Sequence, residues 1–240
     1  SGRKPLVIRA AGPSLGALGV PGTLADPKLE LFFGSTATGS NDNWGGSETL
    51  AAAMRAVGAF AYTGPTSADA AIASDFALGN NSAKISANGS GTGAVIAEIY
   101  DATPGDAFSA TTPRLVNVSV LKHLGTGLTA GFAIGGNAAK TVLIRAIGPT
   151  LSVPPFGVPG VVADPQLTLF SGSTQIGYND NWGGGTALAG TFTQIGAFPL
   201  SPTSKDAVLQ ATLAPGTYTV VASGVGGTTG TALIEVYEVP

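Results

Sequence analysis

The sequence predicts an all-β protein of two tandem β-sandwich domains, jelly-roll or immunoglobulin-like, each with at most one short helix. Three observations predict it. Similar segments return at offsets of 136, 138 and 137 residues, as Arg9/Arg145, Asp42/Asp180 and Glu98/Glu235 show. That period is too long for a solenoid repeat and matches a whole small domain. Short β-branched runs bounded by Gly, Pro, Asn and Asp dominate both halves.

The repeat is legible block by block. Leu6-Val7-Ile8-Arg9-Ala10-Ala11-Gly12-Pro13 returns as Val142-Leu143-Ile144-Arg145-Ala146-Ile147-Gly148-Pro149. Ala25-Asp26-Pro27 returns as Ala163-Asp164-Pro165, and Asn41-Asp42-Asn43-Trp44-Gly45-Gly46 as Asn179-Asp180-Asn181-Trp182-Gly183-Gly184. Copy one spans 1–110 and copy two 111–240, joined by a short Pro-bearing link that is semi-rigid rather than floppy.

Strands are expected in copy one near 5–11, 28–33, 36–40, 69–77, 82–88 and 93–101. Copy two repeats them near 141–147, 165–171, 174–178, 206–213, 216–223 and 230–238, after two further strands near 114–122 and 128–135. Leu29-Glu30-Leu31-Phe32 and Thr217-Tyr218-Thr219-Val220 alternate as in a sheet with one face on a core. Ser47 to Val57 breaks the pattern. It has an N-cap candidate, many alanines and a closing Gly58, and so reads as a short helix across the end of the sandwich. Its counterpart, 186–195, carries Gly190 and β-branched Thr, which disfavour helix.

The copies are not equal. Copy two opens on a leading hairpin, 114–136, whereas copy one starts at Ser1-Gly2-Arg3-Lys4-Pro5, the counterpart of the loop Asn137-Ala138-Ala139-Lys140. Two full periods span about 274 residues and the chain has 240, a shortfall close to one hairpin. The expectation is an incomplete first sandwich with an unpaired assembly edge at Leu6, Val7, Ile8 and Arg9. The chain opens without Met or a signal sequence and reads as a mature or trimmed product.

Composition narrows the function. Charged residues are 10% of the chain against about 25% in a typical soluble domain. A net charge of −3 and no Lys/Arg cluster give no footprint for nucleic acid. No apolar run has the length of a membrane helix, so no membrane insertion is expected. The absence of cysteine removes disulfides, thiolate metal sites and cysteine nucleophiles. Low charge with small polar residues favours self-association, so the expected partner is another copy of the chain.

Candidate chemistry is sparse. Gly12-Pro13-Ser14-Leu15-Gly16 matches the G-x-S-x-G nucleophile pattern by letter, but copy two reads Gly148-Pro149-Thr150-Leu151-Ser152 and the only histidine is His123. A Gly-Pro turn explains both. Gly125-Thr126-Gly127-Leu128-Thr129-Ala130 looks like a dinucleotide loop yet leads into a strand, so no helix N-terminus meets a phosphate. The Asn41, Asp42, Asn43, Trp44 loop and its copy Asn179, Asp180, Asn181, Trp182 allow three readings. They are structural Asx-turns, a calcium loop with hard oxygen ligands, or a glycan platform on the Trp. No cofactor is expected apart from that calcium. The repeated charges Arg9, Asp26, Asp69 and Glu98, with Arg145, Asp164, Asp206 and Glu235, read as structural ion pairs. Paired carboxylates for glycoside hydrolysis are the alternative, and no catalytic residue is assigned.

Leu143-Ile144-Arg145-Ala146-Ile147-Gly148-Pro149-Thr150-Leu151, Ala163-Asp164-Pro165-Gln166-Leu167, Asn179-Asp180-Asn181-Trp182-Gly183-Gly184 and Ala232-Leu233-Ile234-Glu235-Val236-Tyr237-Glu238 resemble repeats in large secreted and surface proteins of verrucomicrobia-like bacteria. The resemblance covers essentially the whole chain. It implies a β-rich, non-enzymatic extracellular module with a structural or adhesive role. Members of that family usually carry the Arg-Leu-Val-Asn lead before each copy, and this chain lacks the first one. The expected function is a subunit of a surface filament or array built by strand complementation, the alternative an adhesin or carbohydrate-binding tandem.

Overall fold

The computed structural model describes residues 2–109 and 111–240. The chain divides into two compact units, Ser1–Leu115 and Val116–Pro240. In unit 1 the elements are β1 (Arg3–Ala11), α1 (Pro13–Ala17), β2 (Pro27–Phe33), β3 (Thr36–Asn41), α2 (Glu48–Ala56), β4 (Ala70–Ala77), β5 (Asn81–Ala87) and β6 (Ile96–Asp101). Unit 2 contributes β7 (Asn117–Leu124), β8 (Leu128–Ile134), β9 (Lys140–Ile147), β10 (Pro165–Ser171), β11 (Thr174–Asn179), α3 (Thr186–Ile195), β12 (Ala207–Leu213), β13 (Gly216–Gly224) and β14 (Gly230–Val239).

Both units are antiparallel sandwiches. Unit 2 has two four-stranded sheets, β12-β9-β14-β7 and β11-β10-β13-β8. Counted 1 to 8 in chain order, its strands lie 1-8-3-6 and 2-7-4-5, the order of a jelly roll rather than an immunoglobulin sandwich. Unit 1 keeps the same arrangement with three strands per sheet, β4-β1-β6 and β3-β2-β5. Among its described residues, nothing occupies positions 1 and 2.

The leading segment of copy two is not a hairpin. β7 pairs with β14 in one sheet and β8 with β13 in the other, so the two strands form an arch across the sandwich. The reason is side-chain demand. Leu124 and Ile134 from the arch enter the core between the sheets, and Leu128 and Phe132 pack against it. One β-hairpin in a single sheet would close only one of the two facing sheets.

The central strands explain the third layer. β1 and β9 are apolar on both faces: Leu6, Ile8 and Ala10 face the other sheet, while Val7 and Ala11 pack outward against Met54, Leu15 and Tyr62. In unit 2, Leu143 and Ile147 pack outward against Trp182, Phe192 and Leu200. Each helix therefore lies on the outer face of a sheet, not across the end of the sandwich. Ser47 caps α2 by accepting from the Leu50 amide at 3.3 Å. Despite Gly190, 186–195 is helical. Burial of Phe192 against the Trp182 ring, 5.4 Å between centroids, outweighs local propensity.

Candidate functional site

The repeated arginines sit on the outward face of the central strands, under the helix layer. Both are fully buried. Arg145 on β9 stands opposite Glu235 on β14. Its Nε and Nη2 donate to Glu235 Oε2 at 2.8 and 2.6 Å, and its Nη1 donates to the Phe198 carbonyl at 2.7 Å. The Phe198 ring lies 4.2 Å from the guanidinium carbon. Arg9 stands opposite Glu98 in the same register, but its Nε is 3.4 Å from Glu98 Oε2. The rings of Phe60 and Tyr62, each 4.3 Å away, cover it by cation–π contact, as Phe198 covers Arg145. Neither Arg9's three guanidinium nitrogens nor Glu98 Oε2 has a hydrogen-bond partner among the described residues. Beside each pair a tyrosine hydroxyl donates to the carboxylate, Tyr100 to Glu98 and Tyr237 to Glu235, both at 2.7 Å. Burial, and then the neighbouring carboxylate, push both phenols well above the ordinary tyrosine range. Burial pushes Tyr62 up to about 12 against the pull of Arg9.

The other repeated carboxylates do not pair with these arginines. Asp69 and Asp206 are fully buried and hold the Gly-Pro turns. Asp69 accepts from the Gly12 amide at 2.7 Å, from the Ser14 amide at 3.2 Å and from the hydroxyls of Ser14 and Ser67. Asp206 accepts from the Gly148 amide at 2.7 Å and from the hydroxyls of Thr150 and Ser204. Glycine is required at the turn: a Cβ on Gly12 would lie 2.1 Å from the Leu24 carbonyl oxygen, and on Gly148 the same distance from that of Val162. Thr150 replaces Ser14 as the hydroxyl donor to the carboxylate, because either hydroxyl serves. Ser14 lies in one turn of helix, α1, but it is buried against a carboxylate rather than presented to solvent. Asp26 accepts from Asn88 Nδ2 at 3.0 Å, which also reaches Asp42 at 3.2 Å, while Asp164 takes Lys205 at 2.5 Å.

In each Asn-Asp-Asn-Trp loop the first Asn and the Trp turn their polar groups inward, while Asn43 and Asn181 are exposed and Asp42 and Asp180 half-buried. Asn41 Oδ1 accepts from the Ala71 amide at 3.0 Å and its Nδ2 donates to the Asn43 carbonyl at 2.9 Å. Asn179 repeats this with the Val208 amide and the Asn181 carbonyl, both at 2.9 Å. Trp44 Nε1 donates to the Gly64 carbonyl, and Trp182 Nε1 to that of Ser201. Trp182 is buried, and Trp44 meets Tyr62 edge-on at 5.6 Å. Gly46, at φ +67°, lets the chain turn under Pro65, which a Cβ would strike at 2.4 Å. Through its first Asn each loop is a structural turn that pins β3 to β4 and β11 to β12. Its side-chain amide donates to the carbonyl two residues on, where an Asx-turn would have the side-chain oxygen accept. Among the described residues, no group of three or more His, Cys, Asp or Glu side chains is placed to hold a metal. His123 is exposed on β7, opposite Thr231.

The open side of unit 1 lies elsewhere than expected. Leu6, Val7, Ile8 and Arg9 form no edge, since β1 pairs with β4 on one side and β6 on the other. The missing strands belong beside β6 and β5, the last strands of their sheets. The register of β2 and β10 aligns Ala83 with Val220 and Ile85 with Ala222. The Arg–Glu pairs align Ala97 with Ile234 and Ile99 with Val236. Val220 and Ile234 are buried under the arch of unit 2, whereas Ala83 and Ala97 are exposed. Ile99 is 39% and Ile96 42% exposed. The copy-one deficit was readable as residues missing from the repeat. Its place was not, because a strand's neighbours in a jelly roll are distant in sequence.

Among the described residues, no helix is long and apolar enough to cross a membrane. A comparison with protein-family models finds no match to this chain, and a comparison with curated proteins finds none either.

Proposed function

We propose that the protein is a non-enzymatic extracellular structural protein, a subunit of a bacterial surface filament or array joined by strand complementation. The open side of unit 1 carries this reading. Among the described residues, two sheet edges of unit 1 and an apolar strip there lack the cover that unit 2 has, and unpaired edges are sites of association with another chain. A head-to-tail join that does not close gives a filament. The resemblance to repeats of surface proteins supports the location. The hydrogen bonds of Arg145, Asp69, Asp206, Asn41, Asn179 and both indoles to protein groups favour structural roles for them over hydrolysis, calcium or glycan binding.

The test is light scattering across a concentration series with electron microscopy of the same samples. Oligomers that grow with concentration and regular filaments or sheets are expected. A monomer that persists at high concentration overturns the proposal.

A further inference from the structure

We propose that the outer face of the β11-β10-β13-β8 sheet of unit 2 binds a neutral polysaccharide, with the Tyr178 ring as its stacking platform. This face is separate from the sheet edges of unit 1. It lies on the sheet opposite the one that α3 and Trp182 cover.

The face is built from strands without charge. β8, β10, β11 and β13 contain no Asp, Glu, Lys, Arg or His. Alternation sends Leu167, Leu169, Val220 and Ala222 into the core and leaves Gln166, Thr168, Val221 and Ser223 outward and half-buried. On β11, Ile176 and Tyr178 are 46% and 49% exposed. Unit 1 treats the same face differently. Lys28, Glu30 and Lys84 stand where unit 2 has Gln166, Thr168 and Val221, and the two lysines approach Glu30 at 3.1 and 3.6 Å. Those ion pairs make the unit 1 face an ordinary solvated one. The same fold in unit 2 carries only hydroxyl, amide, aliphatic and aromatic groups there, which complement a partner without charge.

The ring narrows the partner further. Tyr178 stands opposite Thr168, yet its hydroxyl donates to Gln166 Oε1 at 2.9 Å, two residues along β10. The ring therefore leans along the sheet, fixed at its tip, with one face open. Gln166 Nε2 donates in turn to Ser223 Oγ at 3.0 Å, which holds the amide in place. Thr168, Val221 and Thr129 continue the row from Tyr178 across the sheet. A pyranose lays its C–H face on such a ring and turns its hydroxyls to flanking amide and hydroxyl groups. A row across three strand spacings, about 14 Å, suits an extended chain of sugars rather than one sugar in a cleft. A second protein sheet fits less well. Face-to-face packing interdigitates apolar side chains and would desolvate the Gln166 and Ser223 dipoles.

The test is cosedimentation of the full chain with insoluble cellulose, chitin, curdlan and mannan, with carboxymethyl-cellulose as the charged control. Saturable binding to at least one neutral polymer is expected, with none to the charged one. Tyr178→Ala weakens that binding at least about tenfold and leaves the circular dichroism unchanged, because the ring is exposed. Val221→Lys, which gives unit 2 the residue of unit 1, weakens it as well. Lys84→Gln, on the matching face of unit 1, leaves it unaltered. No binding to any neutral polymer overturns the proposal, as does binding that survives Tyr178→Ala or is equal on carboxymethyl-cellulose. A chain that binds no polymer but loses self-association in Tyr178→Ala, read by light scattering, packs this face on a second copy and overturns it too.

Discussion

Arg145 places two N–H groups on one oxygen of Glu235, at 2.8 and 2.6 Å, while Arg9 approaches the equivalent oxygen of Glu98 only to 3.4 Å. The same residues in the same register thus make a hydrogen-bonded pair in unit 2 and a looser pair in unit 1, with aromatic rings over the guanidinium in both. The difference lies in the surroundings. Glu235 is flanked by β9 and β7, Glu98 by β1 alone. Removing one member of a buried pair leaves the other charge desolvated. Arg145→Met is expected to destabilise unit 2 by about 3–5 kcal/mol, and Arg9→Met to destabilise unit 1 by less. Each unit contains one tryptophan, so urea unfolding followed by fluorescence in Trp44→Phe and Trp182→Phe backgrounds reads them separately.

Trp182→Ala is expected to lower the stability of unit 2 by about 3–5 kcal/mol through the cavity it leaves. Trp182 is buried against Phe192, while Trp44 is only half-buried. Trp44→Ala therefore costs unit 1 less. Calorimetry of both variants checks the order, and equal effects would contradict it.

Asp206→Ala strands the Gly148 amide inside the turn and is expected to cost about 2–4 kcal/mol, with Asp206→Asn recovering part of the loss by keeping one acceptor. Denaturant midpoints of the two variants test this. Thr150→Ser should be nearly silent, because Ser14 already fills that role in unit 1.

Alkaline pH should loosen both units. Tyr62, Tyr100 and Tyr237 have folded pKa values raised above the unfolded value of about 10. Their contribution is fully present below that pH and is lost as pH rises toward and past 12, the value to which Tyr62 is pushed. Unfolding free energy measured from pH 8 upward should fall beyond about 10, and Tyr237→Phe should flatten the fall in unit 2.

Much of this was legible before the fold was known. The all-β class followed from short bounded runs, the two units from the period, and an ion pair for each repeated arginine from charges repeated within apolar strands. The register alone singled out Glu98 and Glu235 over Asp26, Asp69 and their copies. The Ser47 cap also announced α2. The second helix was not legible, because Gly190 and the threonines speak against it locally. Only packing of Phe192 under Trp182 makes that segment helical. The loops were legible as a motif but not as a role, since whether Asn41 faces water or the Ala71 amide depends on where β4 lies.

The sequence by itself determined the duplication, the strand content and the presence in copy two of a segment, 114–136, with no counterpart in residues 1–110. Those properties are local or repeat at a constant spacing. Only the tertiary structure decided that this segment is an arch and that it flanks β13 and β14, the counterparts of β5 and β6, rather than β9. Sheet neighbours in a jelly roll come from opposite ends of the domain, and which strand becomes an edge is set by the burial of all eight together.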